Sequence, residues 1–345
     1  MDIKYADYAV EKAAELIAID SPSGMTGKAA EWVLGSFSAL GFNAKRTVKG
    51  GVMVDLGGQN EDDALLLEAH ADTLGGMVCE IKSNGRLRIT NIGGMNANNG
   101  EAENVRVYTF GGKTYEGTAQ LTNASLHVNG DYNDTKRTFD NLEIVLDEDV
   151  GTREDALKLG IENGNFVCFE PRTRVTESGY IKSRFLDDKL SVGILLGFAK
   201  FIADEKIILP RKTYIHVTVF EEVGHGGSAS VPSGVTEAIS VDMGCVGQGL
   251  NCTEKQVSIC AKDSGGPYNY EVVKALIDAA KRENADYAVD VYPHYGSDVE
   301  ATLRAGNDIR HGLIGAGVYA SHGYERSHKS GVLATLKVLK GYLKI

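Results

Sequence analysis

The chain reads as an α/β protein whose sheet-forming part is interrupted by a smaller, β-rich insertion. Three observations predict this. Helix-like and strand-like apolar segments alternate up to Thr73 and again after Arg184. Between them, from Leu74 to about Phe166, the text changes to short strand-like runs separated by Gly and Asn. Four apolar runs of the flanking parts end in His, Asp or Glu, as strands do when they deliver side chains to one edge of an open sheet.

The elements follow in order. Tyr8, Val10, Ala13, Leu16 and Ile17 predict a surface helix, Tyr8 to Ala18, stopped by Asp20-Ser21-Pro22-Ser23-Gly24. A second helix is expected around Gly27 to Leu40, then strands Gly51 to Leu56 and Ala64 to Ala69. The insertion carries strand-like runs Met77 to Ile81, Leu87 to Ile89, Val105 to Phe110 and Leu142 to Leu146. It also has one short helix, Thr152 to Leu159, with acids in its first turn. After it come helix Leu190 to Ala203 and strands Tyr214 to Phe220, Ala238 to Val241 and Val257 to Ala261. Helix Tyr270 to Asn284, a strand near Ile314 and a final helix from Ser330 to Leu343 complete the chain. The expected division is 1–73 with 167–345 as the α/β domain, and 74–166 as the insert. No internal repeat or low-complexity linker is visible.

Bulk properties narrow the function. A length of 345 residues is enough to bury a large core. The net charge of -11 argues against a general nucleic-acid binder, which needs a basic surface. No apolar run approaches the ~20 residues of a membrane span, and the N-terminus lacks the order of a secretory signal. Five scattered cysteines without a Cys-x-x-Cys pair fit a reduced, cytoplasmic protein with buried structural thiols.

The chemistry is concentrated at the ends of the apolar runs. Leu65-Leu66-Leu67 leads into His70-Ala71-Asp72. Tyr214 to Phe220 leads into Glu221-Glu222-Val-Gly-His-Gly-Gly. Ala238 to Val241 leads into Asp242, and Leu313 to Val318 leads, after a short spacer, into His322. Asp187 stands just before an apolar helix. Imidazole and carboxylate without cysteine suit an open, hydrolytic site for zinc or cobalt better than a closed structural zinc. Two imidazoles and three carboxylates suit two cations. His70 and His322 supply nitrogen, Glu222 and Asp242 the outer carboxylates, and Asp187 the bridge. Asp72, two residues from His70, is placed to accept the other ring N–H and so fix the tautomer. Glu221 is left as general base for a water activated by the two metals. Taken singly, each piece has an ordinary reading. His-x-Asp is a common turn, paired Glu often marks a solvated loop end, and Asp187-Asp188 suits a helix start. Their convergence on one sheet edge makes the joint pattern stronger.

These residues also resemble a known family. Glu-Ala-His70-Ala-Asp72-Thr-Leu-Gly, Phe-Leu-Asp187-Asp-Lys, Glu221-Glu222-Val-Gly and Val-Asp242 are similar to segments of the dinuclear-metal glutamyl and deblocking aminopeptidases of the tetrahedral, TET type. Ile19 to Gly24 and the stretch Asp149 to Ala156 followed by Leu159-Gly160-Ile161 extend the likeness over nearly the whole chain. The resemblance implies a phosphorylase/hydrolase-like mixed-sheet peptidase domain with an inserted β domain used in oligomerisation, often into dodecamers. It puts the ligand roles on His70, Asp187, Glu222, Asp242 and His322, the base role on Glu221 and the His-orienting role on Asp72. His322 is preferred to His328 because it keeps the spacing from the preceding strand. His225 is expected to be a wall or surface residue, His216 core or covered surface, and His294 and His311 loop residues. His127 has no derivable role.

The leading expectation is a metal-dependent aminopeptidase that removes N-terminal residues from short peptides. An amidase, deacylase or carboxypeptidase acting on small N-acyl substrates shares the same site chemistry and is the alternative. A glycosidase would leave the histidines unexplained. A metal-free scaffold would leave the full set of competent ligands unexplained.

Overall fold

A computed structural model describes all 345 residues. Its first element, α1 (Ile3–Ile17), buries Tyr5, Ala6, Ala9, Val10, Ala13, Leu16 and Ile17 along one face, the spacing of an amphipathic helix. Asp2 caps it by accepting from the Lys4 N–H. It begins a turn earlier than the apolar pattern suggested. α2 (Gly27–Ala39), β1 (Asn43–Arg46), β2 (Val52–Asp55) and β3 (Asn60–His70) follow. β3 starts exposed and ends in seven consecutive buried residues, the signature of a strand covered on both faces.

The chain divides into two units, Met1–Asp72 with Arg172–Ile345, and Thr73–Pro171. The smaller is a closed six-stranded barrel in the order β4 (Gly75–Ile81), β5 (Leu87–Ile92), β8, β7, β6, β9. The remaining strands are β6 (Glu103–Tyr108), β7 (Thr114–Leu121), β8 (Leu142–Leu146) and β9 (Phe166–Phe169). Val105 and Val107 point inward while their neighbours do not, the alternation a barrel wall requires. α3 (Arg153–Lys158) begins with a capping box between Thr152 and Asp155. Because β9 closes the barrel, this unit extends past the expected boundary at Phe166.

The larger unit resumes with β10 (Arg174–Val175), β11 (Tyr180–Ser183) and the central helix α4 (Leu186–Asp204), almost entirely buried. α4 lies close against α1. A Cβ at Gly193 would stand 2.4 Å from the Ala9 carbonyl oxygen, and one at Gly197 2.7 Å from that of Tyr5, so only glycine permits the approach. Then come β12 (Arg211–Thr218), β13 (Val235–Val241), β14 (Gly244–Val246), β15 (Val257–Lys262), α5 (Tyr270–Arg282), β16 (Tyr287–Val291), α6 (Asp298–Arg304), β17 (Arg310–Tyr319), β18 (Glu325–His328) and α7 (Lys329–Leu343).

The strands of this unit form one 12-stranded mixed sheet whose main path is β1-β2-β12-β3-β13-β17-β18-β11-β10. β12, β3, β13 and β17 are parallel, so their carboxyl ends share one edge. α6 and β18 escaped the sequence reading because they are short and polar, and β16 because it is short. His311, expected in a loop, is the second residue of β17. No helix is long and apolar enough to cross a membrane. All five cysteines are free, but Cys79 and Cys245 are only half-buried, which corrects the expectation of five buried thiols.

Candidate metal centre and active site

The shared edge collects the expected residues. β3 ends at His70, whose Nε2 lies 3.1 Å from Asp187 Oδ1 and 3.6 Å from Glu221 Oε2. β12 runs out into the turn carrying Glu221 and Glu222. β13 ends one residue before Asp242. Beyond β17, His322 sits in a tight turn with φ of 61°. Its Nε2 is 3.4 Å from Asp187 Oδ2 and 3.7 Å from Glu222 Oε2. Asp187 therefore faces both imidazoles, one with each oxygen. The potential ligand atoms of His70, Asp187 and Glu222 lie within 4.8 Å of one another, as do those of His70, Asp188 and Asp242.

Asp187 and Asp188 are not ordinary helix-start acids. Their dihedrals are non-helical, and the peptide between them is cis. Phe185 before them takes a left-handed conformation, φ 65°. The chain enters α4 through an irregular corner that turns Asp187 to the histidines. Asp188, with no part in the sequence reading of the site, is fully buried and accepts from the His70 backbone N–H at 3.2 Å.

Asp72 is arranged differently from the expectation. His70 Nδ1 lies 2.9 Å from the Asp72 backbone carbonyl oxygen and 3.6 Å from its carboxylate. An Nδ1 proton held by that carbonyl leaves Nε2 to face the cluster. The carboxylate serves the next segment instead. It accepts from the Ser23 hydroxyl at 2.5 Å and from the backbone N–H groups of Glu221 and Glu222 at 3.1 and 3.4 Å. The turn at the end of β3 brings the carbonyl, not the carboxylate, under the ring.

Glu325 was missed altogether. Fully enclosed, it accepts from the backbone N–H of Asp187 at 3.1 Å and of His322 at 3.0 Å, tying two segments of the site together. The sequence does not signal it, because the partner that makes it part of the site, Asp187, is 138 residues away. The choice between histidines is sharp. His328 is engaged elsewhere, with Nε2 2.9 Å from the Ser178 carbonyl and Nδ1 accepting from the Ser330 N–H. His225 is exposed and stacked on Phe220. His216 is buried with Nδ1 3.2 Å from Glu68 Oε1. His127 is exposed in the barrel unit.

The electrostatics are those of crowded acids. Burial, reinforced by neighbouring carboxylates, pushes Glu221, Glu222 and Asp188 well above the usual carboxylate range, and Asp242 to about 7. Burial also raises Glu325, to about 8. At Asp187 burial acts upward too, but hydrogen bonds from His322 and His70 outweigh it and hold the group low. Burial would lower His70, yet the charge of Glu221, the hydrogen bond to Asp187 and the charge of Asp72 raise it. Glu222 Oε1 and Asp188 Oδ1 are buried without a hydrogen-bond partner. Buried acceptors of this kind are costly unless something positive meets them. Divalent cations fit the donor set.

Asp187, Glu221, Glu222, Asp242 and His322 line a cavity of about 430 Å³. Met243, Cys245, His294, Tyr295 and Asp298, Ala301 and Arg304 of α6 line it as well. A hydrolase that uses divalent cations on a small substrate is the class this edge defines. The comparisons agree. A profile of the M42 glutamyl aminopeptidases matches residues 50–338, and the chain belongs to that family. It is a metal-dependent aminopeptidase, a peptide hydrolase.

A putative aminopeptidase of Bacillus subtilis, YhfE, is 43% identical over 335 residues, 97% of each chain. Among solved structures, an aminopeptidase of the archaeon Desulfurococcus kamchatkensis superposes with a TM-score of 0.88 at 20% identity, over 98% of this chain and 95% of that one. The TET1 peptidase of Pyrococcus horikoshii, described as assembling into a tetrahedron or a large octahedral shell, gives 0.84 at 22%, over 96% and 98%. Both share the mixed-sheet and inserted-barrel fold. The relatives favour the aminopeptidase over the N-acyl amidase or carboxypeptidase alternative.

Proposed function

We propose that the chain removes single residues from the free N-termini of short peptides, with His70, Asp187, Glu222, Asp242 and His322 holding two divalent cations and Glu221 as general base. The observation that carries this is Asp187 lying between His70 and His322, each within 3.4 Å of one of its oxygens. Asp242 beside His70 and Glu222 beside His322 then supply one further carboxylate on each side. Zinc or cobalt suits this imidazole and carboxylate set. When bound, such cations lower the pKa of water and polarise a scissile carbonyl.

Glu221 takes one proton from the attacking water and gives it to the departing amine nitrogen as the C–N bond breaks. Asp72 holds the Glu221 and Glu222 backbone N–H groups, and its carbonyl orients His70. The acidic wall of the cavity attracts the α-ammonium of a peptide. The matched test is one short peptide with a free and with an acetylated N-terminus, given to metal-loaded protein. Stepwise release from the free form only is expected. Equal cleavage of both, or internal fragments first, would sink the aminopeptidase reading.

Self-association through the barrel unit into a large homo-oligomer such as a dodecamer belongs to the same proposal. It is supported by neighbours described as a dodecamer, a tetrahedron and an octahedral shell. Light scattering on a chain lacking the barrel unit, Thr73–Pro171, tests it, with a smaller particle expected. The five free cysteines support work in the reducing cytoplasm.

A further inference from the structure

Beyond its ligands and base, the site depends on a glycine turn, and that turn is gripped from outside. Between β12 and Ser228 the chain reads Val219-Phe220-Glu221-Glu222-Val223-Gly224-His225-Gly226-Gly227. Phe220 sits at φ 70°, and Glu221 O accepts from Gly224 N at 2.7 Å, so the base stands at the start of a tight loop. Asp72 holds only the first peptide groups of this loop.

The far end is held by α6 and by Lys49. Asp298, 3% exposed, accepts from the Gly227 N–H at 2.6 Å through Oδ1 and from the Thr218 hydroxyl through Oδ2. Thr218 is paired directly with His70 in the sheet. Thr302, one turn along α6, donates to the Gly227 carbonyl at 2.8 Å. Both backbone polar groups of Gly227 are thus claimed by one helix. Lys49 Nζ in turn donates to the carbonyls of His225 and Gly226 and to Ser228 Oγ.

The fit is close. A Cβ on Gly226 would stand 2.2 Å from Asp298 Oδ1, and one on Gly227 2.4 Å from the Asp298 carbonyl oxygen. Two glycines in succession let α6 seat directly on the loop. Asp298 also lines the cavity, but both of its oxygens are occupied within the protein, so its contribution is assigned to the loop.

We propose that Asp298 is a positioning residue for the general base, with Lys49 as its counterpart: together they set the glycine turn and hence where the Glu221 carboxylate stands. This rests on the reading of Glu221 as base. Small displacements of a reacting group are enough to cost large factors in rate, and an anchored loop at both ends is how the site avoids them.

The experiment uses the metal-loaded full chain, an aminoacyl chromogenic substrate, and metal content measured alongside. Asp298→Ala is expected to lower kcat about 10- to 100-fold with KM within about threefold and the metal content of the wild type. Asp298→Asn, which keeps an acceptor for Gly227 and a polar group at Thr218, is expected to stay within about threefold of wild type. The deciding measurement is a double-mutant cycle. In a Glu221→Gln background, Asp298→Ala should change the residual rate by less than about threefold, since the group it positions is gone.

The same factor of loss in both backgrounds would overturn the proposal, as would wild-type kcat in Asp298→Ala. If Asp298→Ala does not fold, Lys49→Met carries the same cycle from the half-buried side of the loop, with the same two outcomes. Full activity of Glu221→Gln alone would instead overturn the assignment of the base, and this inference with it.

Discussion

The acids of the barrel unit and the acids of the sheet edge are opposites. In the barrel each prominent carboxylate has its own cation or cap. Glu80 is held low by a hydrogen bond from Arg88, and Glu101 by one from Arg137. Burial acts upward on Glu143, but hydrogen bonds from Lys82 and Arg86 outweigh it. Asp155, bonded to the Thr152 hydroxyl and to Lys158, falls to about 2. At the sheet edge, burial and mutual repulsion push Glu221, Glu222 and Asp242 the other way. Where a fold satisfies every charge internally, the charges serve the fold. Where it buries acids beside one another and leaves Glu222 Oε1 without a partner, the arrangement calls for something from outside.

The sharpest way to break this contrast is to neutralise one acid on the functional side. Glu221→Gln should lower kcat about 100- to 10,000-fold while metal content stays at the wild-type level. Steady-state kinetics paired with metal analysis checks it. Loss of metal with Glu221→Gln but not with Glu222→Gln would exchange the roles of the two residues.

Next in size is a comparison of two histidines six residues apart. His322→Ala should weaken binding of one ion at least ~100-fold, by removing a donor beside Asp187 and Glu222. His328→Ala should keep both ions and cost about 1 kcal/mol, because His328 caps α7. Titration with a chelator in competition reads both. Equal metal loss in the two variants would return the choice to His328.

A smaller effect is expected on the barrel side. Glu143→Ala removes the partner of Lys82 and Arg86. It should cost about 1–3 kcal/mol of stability and leave kcat unchanged. Thermal unfolding and kinetics on the same preparation decide it. A kcat falling with the stability would show that the barrel's charges are not confined to the fold.

The smallest effect concerns pH. Burial raises Asp298 from 3.8 to about 7, and burial with the neighbouring Asp263 raises Glu300 from 4.5 to about 7. The folded chain therefore binds these protons more tightly than the unfolded one. Their stabilising contribution is complete below about pH 4 and is lost as pH rises through about 7. Tm should decline across that window from this source, and Asp298→Asn should flatten the decline. An unchanged slope in Asp298→Asn would show that Asp298 does not carry a raised pKa.

How much was legible in the chain follows from how local each feature is. The helices from Gly27, Tyr270 and Lys329 and the strands ending near His70 and Val241 announced themselves by apolar periodicity, a property of neighbouring residues. His70, Glu221, Glu222 and Asp242 stood out because each follows such a run directly, and His322 because it follows one after a short spacer; parallel strands expose their carboxyl ends at one edge. Short polar elements such as α6 and β18 carry too little pattern to be read and exist because the sheet and helices around them supply their partners.

Only the tertiary structure decided that Asp187 leaves the helix geometry to face both histidines. It also gave the ring of His70 to the Asp72 carbonyl, freeing the carboxylate for the backbone of Glu221 and Glu222. Glu325 came to bridge Asp187 and His322, and Asp298 to close on Gly227, in the same way. Most of these contacts join residues far apart in the chain. They depend on backbone direction at the sheet edge, which no local pattern of residues encodes.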